Sequence, residues 1–229
     1  MIPKIIHYCW FGRSPLPKKR QKSSIESWRQ YLPDYEIREW NEDNFNVNLI
    51  RYTAEAYRLN KFAFVSDYAC FWILYHYGGI YFDVDVELIK PIDDIYLKCF
   101  YGCEEYSLDY SKLNPATGLG RAAPVQHPFY AQVLAAYKTK HFVNWKGKST
   151  ETVVGIISDL INSEKYTKDV NGIVYVKDIY VYPPEYFCPL NFYTGELIIT
   201  NNTRSIHHYQ TSWVNKEENI FRKIEKKIA

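Results

Sequence analysis

Two aspartates, Asp83 and Asp85, are the residues of this chain whose type and spacing point most directly to chemistry. They lie in GGIYFDVDVELIKPID, residues 78–93, where apolar and polar residues alternate. If this stretch is one strand, Tyr81, Asp83, Asp85 and Glu87 share a face, because strand side chains alternate with a period of two. Neighbouring carboxylates repel one another unless a metal ion, arginines or solvent lies among them. Carboxylate oxygens of this kind bind Mg²⁺ or Mn²⁺, which in turn can clamp a diphosphate.

Asp67 and Trp10 are further candidates, each with an ordinary structural alternative. Asp67 is the acidic residue of FAFVSDYACFWILYHY, residues 62–77, an otherwise largely apolar stretch. A carboxylate there costs free energy unless it accepts hydrogen bonds, which sugar hydroxyls or a helix-capping role could supply. Trp10 ends the run PKIIHYCW, residues 3–10, and its ring could stack on a base or simply pack in the core.

The stretch RSIHHYQTSW, residues 204–213, contains two adjacent histidines. In an extended segment His207 and His208 point to opposite faces, so one of them at most can reach the same metal. A single imidazole among carboxylates favours Mn²⁺ over Mg²⁺. Ser212 and Trp213 could cover a diphosphate as a lid, or Trp213 could anchor the helix that follows.

The composition excludes several classes of protein. The chain has 229 residues, enough for one sizeable domain, with 47% hydrophobic and 24% charged residues and a net charge of +2. This charge is too small to indicate a nucleic-acid partner. The five cysteines include no C-x-x-C pair, which argues against a disulfide framework or a zinc ribbon. With no signal peptide and no apolar run of about 20 residues, we expect a cytoplasmic protein.

Strands and helices alternate along the first hundred residues, a pattern typical of an α/β fold with a mainly parallel sheet. We predict strands in PKIIHYCW and DYEIREWNE, then a long helical region that ends at Gly78 and Gly79, then the strand with the aspartates. Ligands of such sheets gather at the carboxyl ends of the strands, where Trp10, the aspartate pair and SIHHYQTSW could meet in one cleft. Residues 216–229 form an amphipathic pattern that could pack on the domain or dock on an anionic membrane.

The chain resembles glycosyltransferase family 32, the DXD-containing sugar-binding glycosyltransferases. The resemblance is carried by IPKIIHYCWFG, YLPDYEIREWNEDNF, KFAFVSDYACFWILYHYGGIYFDVDVELIKPIDD and IHHYQTSW, in this order. That family includes bacterial capsular and lipopolysaccharide transferases and yeast mannosyltransferases, and its core is similar to the glucosyltransferase domain of large clostridial toxins. The resemblance implies a GT-A fold, a Rossmann-like α/β domain, together with a nucleotide-sugar donor, a divalent metal and retention of anomeric configuration.

The resemblance also implies roles for individual residues. Asp83 and Asp85 would address the ribose, the metal and the diphosphate, and His208 would complete the metal shell. The residues expected to contact the donor are Tyr8 and Trp10 at the base, Asp67, Tyr81 and Asn114 at the sugar, and Ser212 and Trp213 at the diphosphate. Cys70 departs from the family pattern SDYAR, which has an arginine there. A thiol in its place predicts a roomier and less positive donor pocket.

We therefore expect a single GT-A domain over residues 1–229. Residues 1–100 would bind the nucleotide sugar, residues 101–215 would form the acceptor side and the lid, and residues 216–229 would form the C-terminal helix. The predicted reaction is metal-dependent transfer of a hexose, with Mn²⁺ or Mg²⁺, from a donor that is a UDP-sugar in preference to GDP-mannose. The expected acceptor is a surface polysaccharide or its lipid-linked precursor. The alternatives are a sugar-nucleotide-binding domain without activity and a phosphatase that uses Asp83 as its nucleophile.

Overall fold

The computed structural model describes residues 1–95, 98–104, 113, 115–116, 118–143, 153–192 and 194–209, without the side chains of residues 20–22. The C-terminal helix predicted for residues 216–229 lies outside this range. Ten strands are described: β1 Ile5–Cys9, β2 Glu36–Trp40, β3 Gly79–Tyr81, β4 Val86–Leu88, β5 Cys99–Gly102, β6 Arg121–Ala123, β7 Thr167–Lys168, β8 Val174–Val176, β9 Ile179–Tyr182 and β10 Ser205–His207.

Eight of these strands form one sheet in the order β2-β1-β3-β6-β5-β9-β8-β7. β1 is parallel to β2 and β3, and β5 is parallel to β9. β6 is antiparallel to both β3 and β5, and β8 is antiparallel to both β7 and β9. Six of the eight strands therefore run in the same direction, with β6 and β8 reversed. The predicted α/β fold with a mainly parallel central sheet is confirmed.

The described helices are α1 Lys18–Arg20, α2 Glu26–Tyr31, α3 Arg51–Arg58, α4 Phe62–Tyr77, α5 Pro128–Tyr137, α6 Val153–Asn162 and α7 Pro184–Phe187, with a π-helical segment, Gln21–Ile25, between α1 and α2. The long helical region before the aspartates is thus two helices, α3 and α4. Helix α4 ends where predicted, since Gly78 has a φ of 63° and its N–H donates to Leu74 O. Glycine adopts this left-handed conformation without the steric cost that a Cβ brings.

The stretch that carries the aspartates is not one strand, and this expectation is wrong. β3 ends at Tyr81, and the N–H of Val86 donates to Asp83 O at 3.0 Å, which closes a turn. β4 then leaves the large sheet and pairs antiparallel with β10. The new direction is fixed by α2, because Trp28 Nε1 donates to Val86 O at 2.9 Å and Leu88 N donates to Ser27 Oγ at 3.0 Å.

The large sheet is covered on both faces, and its strands alternate between two hydrophobic clusters. Tyr81 faces the cluster that contains buried residues of α3, α4, α5 and α6. Its neighbours Ile80 and Phe82 face the other cluster, around the fully buried Trp28. Within the part of the chain that the structure describes, no helix combines the length and the hydropathy that a bilayer span requires.

Candidate functional site

Asp83, Asp85 and His207 come together beyond the carboxyl end of β3. The two aspartates lie in the turn that joins β3 to β4, and β10 brings His207 opposite Val86 in the antiparallel pairing. His207 Nε2 lies 3.2 Å from Asp85 Oδ1. One ligand atom of each of the three residues lies within 4.8 Å of the other two. Two carboxylate oxygens and one imidazole nitrogen at this spacing form a donor set suited to a divalent cation such as Mn²⁺.

The electrostatics of this group favour a cation at its centre. Burial raises the pKa of Asp83, and the charge of Asp85 raises it further. The charge of His207 lowers this pKa but does not cancel the rise. Burial lowers the pKa of His207, but its hydrogen bond to Asp85 and the nearby negative charges outweigh burial and raise it. His207 Nδ1 is buried and has no hydrogen-bond partner among the described residues. Glu104, a partly buried carboxylate after β5, adds negative charge beside His207.

The structure corrects the choice between the two histidines. His208 was expected to join the aspartates, but its Nε2 lies 2.7 Å from Glu87 Oε2, on a half-exposed surface. Adjacent residues of an extended segment face opposite ways, so the register of β10 on β4 decides which histidine reaches the acids. His207 takes that place. Glu87 likewise lies apart from Asp83 and Asp85, because the turn separates β4 from β3.

Gly118 makes room for the carboxylate of Asp83. The N–H of Asp83 donates to Gly118 O at 3.1 Å, which holds the turn against the segment before β6. A Cβ at position 118 would collide with the Asp83 carboxylate. The glycine is therefore required by the close approach of the acid, and nothing in the sequence alone indicated this contact.

Asp67 lies in the second turn of α4 and is only partly exposed. The capping alternative does not hold, because α4 begins five residues earlier, at Phe62, and Ser66 Oγ donates to Phe62 O within the helix. No hydrogen bond from the described residues reaches the Asp67 carboxylate. Burial raises its pKa to about 7, the charge of Asp83 raises it too, and Arg121 partly offsets both. This carboxylate could accept hydrogen bonds from the hydroxyls of a ligand.

Tyr81, at the end of β3, and Cys70, in α4, are almost fully buried. The Cys70 thiol donates to the backbone oxygen of Asp67 at 3.0 Å. Burial raises the pKa of this thiol to about 12, so it stays neutral. Both side chains belong to the cluster between the sheet and α4, and their surroundings are those of core residues.

Arg121, in β6, is the residue of this region that the sequence analysis missed. It is only 1% exposed, and its guanidinium carbon lies 4.3 Å from the ring centroid of Phe71 and 4.8 Å from that of Tyr81. Its charge lowers the pKa of both Asp67 and Asp83. A positive charge therefore lies close to Cys70, although that position itself carries a thiol. A signal was present, since Arg121 is the charged residue of the apolar and glycine-rich run GLGRAAPV.

Tyr8 and Trp10 flank the carboxyl end of β1, which neighbours β3 in the sheet. Tyr8 is buried, and its hydroxyl donates to Glu39 Oε2 at 2.6 Å. Trp10 remains partly exposed, and its Nε1 donates to Ser14 O at 2.6 Å. Trp10 therefore has an accessible ring surface at the carboxyl end of β1, whereas Tyr8 packs in the core. The candidates Asn114, Ser212 and Trp213 lie outside the described residues.

The chain is similar to known glycosyltransferases. Residues 18–100 match the family model described as "Glycosyltransferase sugar-binding region containing DXD motif". Two curated relatives come from Schizosaccharomyces pombe. Inositol phosphoceramide mannosyltransferase 1 is 26% identical over 162 residues, 63% of this chain, and inositol phosphoceramide mannosyltransferase 3 is 32% identical over 105 residues, 41% of it. The matches span 46% and 27% of these relatives, so the chain covers less than half of their length.

A solved structure titled "PaToxG Glycosyltransferase" superposes with a TM-score of 0.54 at 18% identity, over 71% of this chain and 69% of that one. This likeness concerns the fold, which is that of the GT-A glycosyltransferases. The resemblance to DXD-containing glycosyltransferases noted from the sequence is thereby confirmed, with the match to the family model confined to residues 18–100.

Proposed function

We propose that this chain, which carries a DXD-containing sugar-binding region over residues 18–100, is a metal-dependent retaining glycosyltransferase. It transfers a hexose from a sugar nucleotide to a surface polysaccharide or a lipid-linked oligosaccharide. The observation that carries this proposal is the convergence of Asp83, Asp85 and His207 beyond the carboxyl end of β3. In an open α/β sheet this edge is where ligands bind.

Different residues around the aspartates contact different parts of the donor. Asp83, Asp85 and His207 would hold Mn²⁺ or Mg²⁺, which supplies positive charge to the departing diphosphate. Trp10 stacks on the nucleotide base with the ring face that it leaves partly exposed. Asp67 accepts hydrogen bonds from the sugar hydroxyls, which satisfies a carboxylate that otherwise lacks donors among the described residues.

When no protein side chain acts as a covalent nucleophile, retention requires that the acceptor attack the face of the sugar from which the nucleotide departs. In our proposal the bond between the anomeric carbon and the phosphate oxygen breaks while the acceptor oxygen bonds to that carbon. The acceptor proton passes to the departing phosphate oxygen. Asp83 and Asp85 serve the cation in this scheme and Asp67 holds the sugar, so none of them acts as a covalent nucleophile. Orientation and electrostatic stabilisation then account for most of the catalysis.

The donor nucleotide is assigned to uridine, with guanosine as the second candidate. The sequence favours a UDP-sugar. GDP-mannose is supported by the curated relatives, which are named as mannosyltransferases. Those relatives are also named for a lipid acceptor, which supports a lipid-linked acceptor here. Both nucleotides therefore belong in any donor screen.

The described residues do not support the phosphatase alternative. Such an enzyme needs a second set of acids beside the nucleophile to hold magnesium. The later candidates are engaged elsewhere: Asp178 contacts His127, Asp169 accepts from Tyr175, and Asp159 is exposed on α6.

A donor screen tests the proposal. The protein is incubated with a panel of UDP-sugars and GDP-mannose, with Mn²⁺ or with EDTA, and release of free nucleotide is measured. We expect Mn²⁺-dependent release with at least one donor, abolished in Asp85→Asn and retained in the control Asp159→Asn on the exposed face of α6. Phosphate release from monoesters in place of nucleotide release would support the phosphatase. Binding of sugar nucleotide without turnover would support an inactive binding domain.

A further inference from the structure

Arg121 has an arrangement that ordinary core packing does not explain. Its side chain is 1% exposed, and its Nε and Nη1 atoms are buried with no hydrogen-bond partner among the described residues. These two nitrogens carry three N–H groups. Buried arginines are normally paired with carboxylates, and an unpaired buried charge is costly. Arg121 forms no ion pair with any described residue. Within the described part of the chain, Nε and Nη1 of Arg121 therefore lack an acceptor.

The fold fixes the guanidinium at a defined place under the acids. Arg121 lies opposite Tyr81 in β3 and opposite Tyr101 in β5, so the three side chains share one face of the sheet. That face is covered by α4, whose Phe71 ring lies over the guanidinium at 4.3 Å, with the Tyr81 ring at 4.8 Å. Contacts with two rings hold the planar group in orientation. Its charge acts on Asp67 in α4 and on Asp83 after β3.

We propose that Arg121 is a donor-binding residue that donates hydrogen bonds to oxygen atoms of the transferred sugar. This inference rests on the proposed function and adds a specificity-determining residue to it. Arg121 is placed on the sugar side because its neighbours on α4 are Phe71 and Cys70, one turn from Asp67, whereas Asp83, Asp85 and His207 form a separate group. Each sugar hydroxyl both donates and accepts. A carboxylate and a guanidinium that face the same sugar can therefore satisfy both functions.

Arg121 also supplies a positive charge beside Cys70. The charge of Arg121 offsets part of the rise that burial causes in the pKa of the Cys70 thiol, so the two groups lie close together. In this proposal the positively charged side chain of the donor pocket is Arg121 in β6, and not a residue of α4. Its planar fork offers several fixed donors, which a lysine at the same position could not reproduce.

The experiment separates recognition of the sugar from recognition of the nucleotide and from stability. Arg121→Met fills a similar volume between Phe71 and Tyr81 but removes the donors, and Arg121→Lys keeps the charge but removes the planar fork. The probes are the sugar nucleotide that wild type turns over best with Mn²⁺ and the matching free UDP or GDP. Their affinities are measured by calorimetry in wild type, Arg121→Met and Arg121→Lys, together with the thermal midpoint of each protein.

We expect both variants to bind the sugar nucleotide about tenfold to a hundredfold more weakly, the scale of lost hydrogen bonds to a charged group. Binding of the free nucleotide should change by less than about twofold, because the base and the diphosphate are held elsewhere. Arg121→Met should not lower the thermal midpoint, because it removes the desolvation cost of a buried charge that has no ion-pair partner among the described residues.

Three outcomes would overturn the inference. Sugar-nucleotide affinity equal to that of wild type in both variants would show that Arg121 does not contact the sugar, while the proposed function stands. Equal weakening of sugar nucleotide and free nucleotide would move its role to the diphosphate. Absence of Mn²⁺-dependent binding or turnover in wild type with every donor of the panel would remove the proposed function itself, and the inference with it.

Discussion

Replacing Asp67 with asparagine should stabilise the metal-free protein at neutral and alkaline pH while it weakens donor binding. Burial of the Asp67 carboxylate raises its pKa to about 7 from its ordinary value of 3.8. The charge of Asp83 acts in the same direction, and that of Arg121 opposes it. The hydroxyls of Tyr52 and Tyr137, which feel the charge of Asp67, are also buried without a hydrogen-bond partner among the described residues. Folding therefore works against ionisation of this acid.

The sign of the pH dependence follows from proton binding. Between pH 4 and pH 7 the unfolded chain has lost the Asp67 proton while the folded protein keeps it, so stability falls as the pH rises through this range. A pKa difference of this size corresponds to about 4 kcal/mol above pH 7, taken as an upper limit. Asparagine has the same shape and does not ionise. The stability gained by Asp67→Asn should therefore grow by about 2–3 kcal/mol between pH 5 and pH 8.

The assay is denaturant unfolding of wild type and Asp67→Asn in EDTA at pH 5 and at pH 8. Asp159→Asn, on the exposed face of α6, is the matched control and should change the free energy of unfolding little at either pH. A loss of stability at pH 8 in Asp67→Asn would refute the reasoning. It would mean that the carboxylate is ionised and satisfied within the folded protein, and it would remove the argument that ligand hydroxyls complete its hydrogen bonds.

Three further predictions concern the residues that would bind the metal and the contact with the nucleotide base. His207→Ala should lower the Mn²⁺ affinity measured by calorimetry by at least about tenfold, whereas His208→Ala should change it by less than about twofold. Equal losses would undo the assignment of the ligand. Gly118→Ala should displace the Asp83 carboxylate and lower kcat/KM by about 10²-fold with Mn²⁺, with the circular dichroism spectrum unchanged. An unchanged kcat/KM would show that catalysis does not depend on the present position of the Asp83 carboxylate. Trp10→Ala should weaken free nucleotide binding by about 1–3 kcal/mol, and unchanged affinity would make Trp10 a packing residue.

The sequence predicted those features that depend on local pattern. The end of α4 at Gly78 followed from the chemistry of helix termini, and the mainly parallel sheet followed from the alternation of strands and helices. The approach of the histidine stretch to Asp83 and Asp85 followed from the rule that ligands gather at the carboxyl ends of strands. Each of these inferences needs only the order of the elements and the positions of a few residues.

The features that the sequence did not predict depend on pairing between distant segments. Which histidine reaches the aspartates is set by the register of β10 on β4, and a slip of one residue would exchange His207 and His208. Alternation of apolar residues cannot show that the chain turns at Asp83, because two short strands in different sheets satisfy the same pattern.

Arg121 was missed for a related reason. β6 enters the sheet antiparallel between β3 and β5, so its side chains meet α4 across a large separation in sequence. The comparison of Cys70 with the family pattern concerns neighbouring positions in one helix, α4. It cannot show that a strand distant in sequence places a guanidinium close to Cys70.

A crystal structure of the protein with Mn²⁺ and UDP or GDP would show directly which residues hold the metal and the diphosphate. Anomalous scattering locates the manganese without reference to the surrounding side chains. We expect one manganese bound by Asp83, Asp85 and His207, with the diphosphate of the nucleotide on the same ion. Manganese bound instead between Glu87 and His208, or a nucleotide bound away from Asp83 and Asp85, would contradict this expectation.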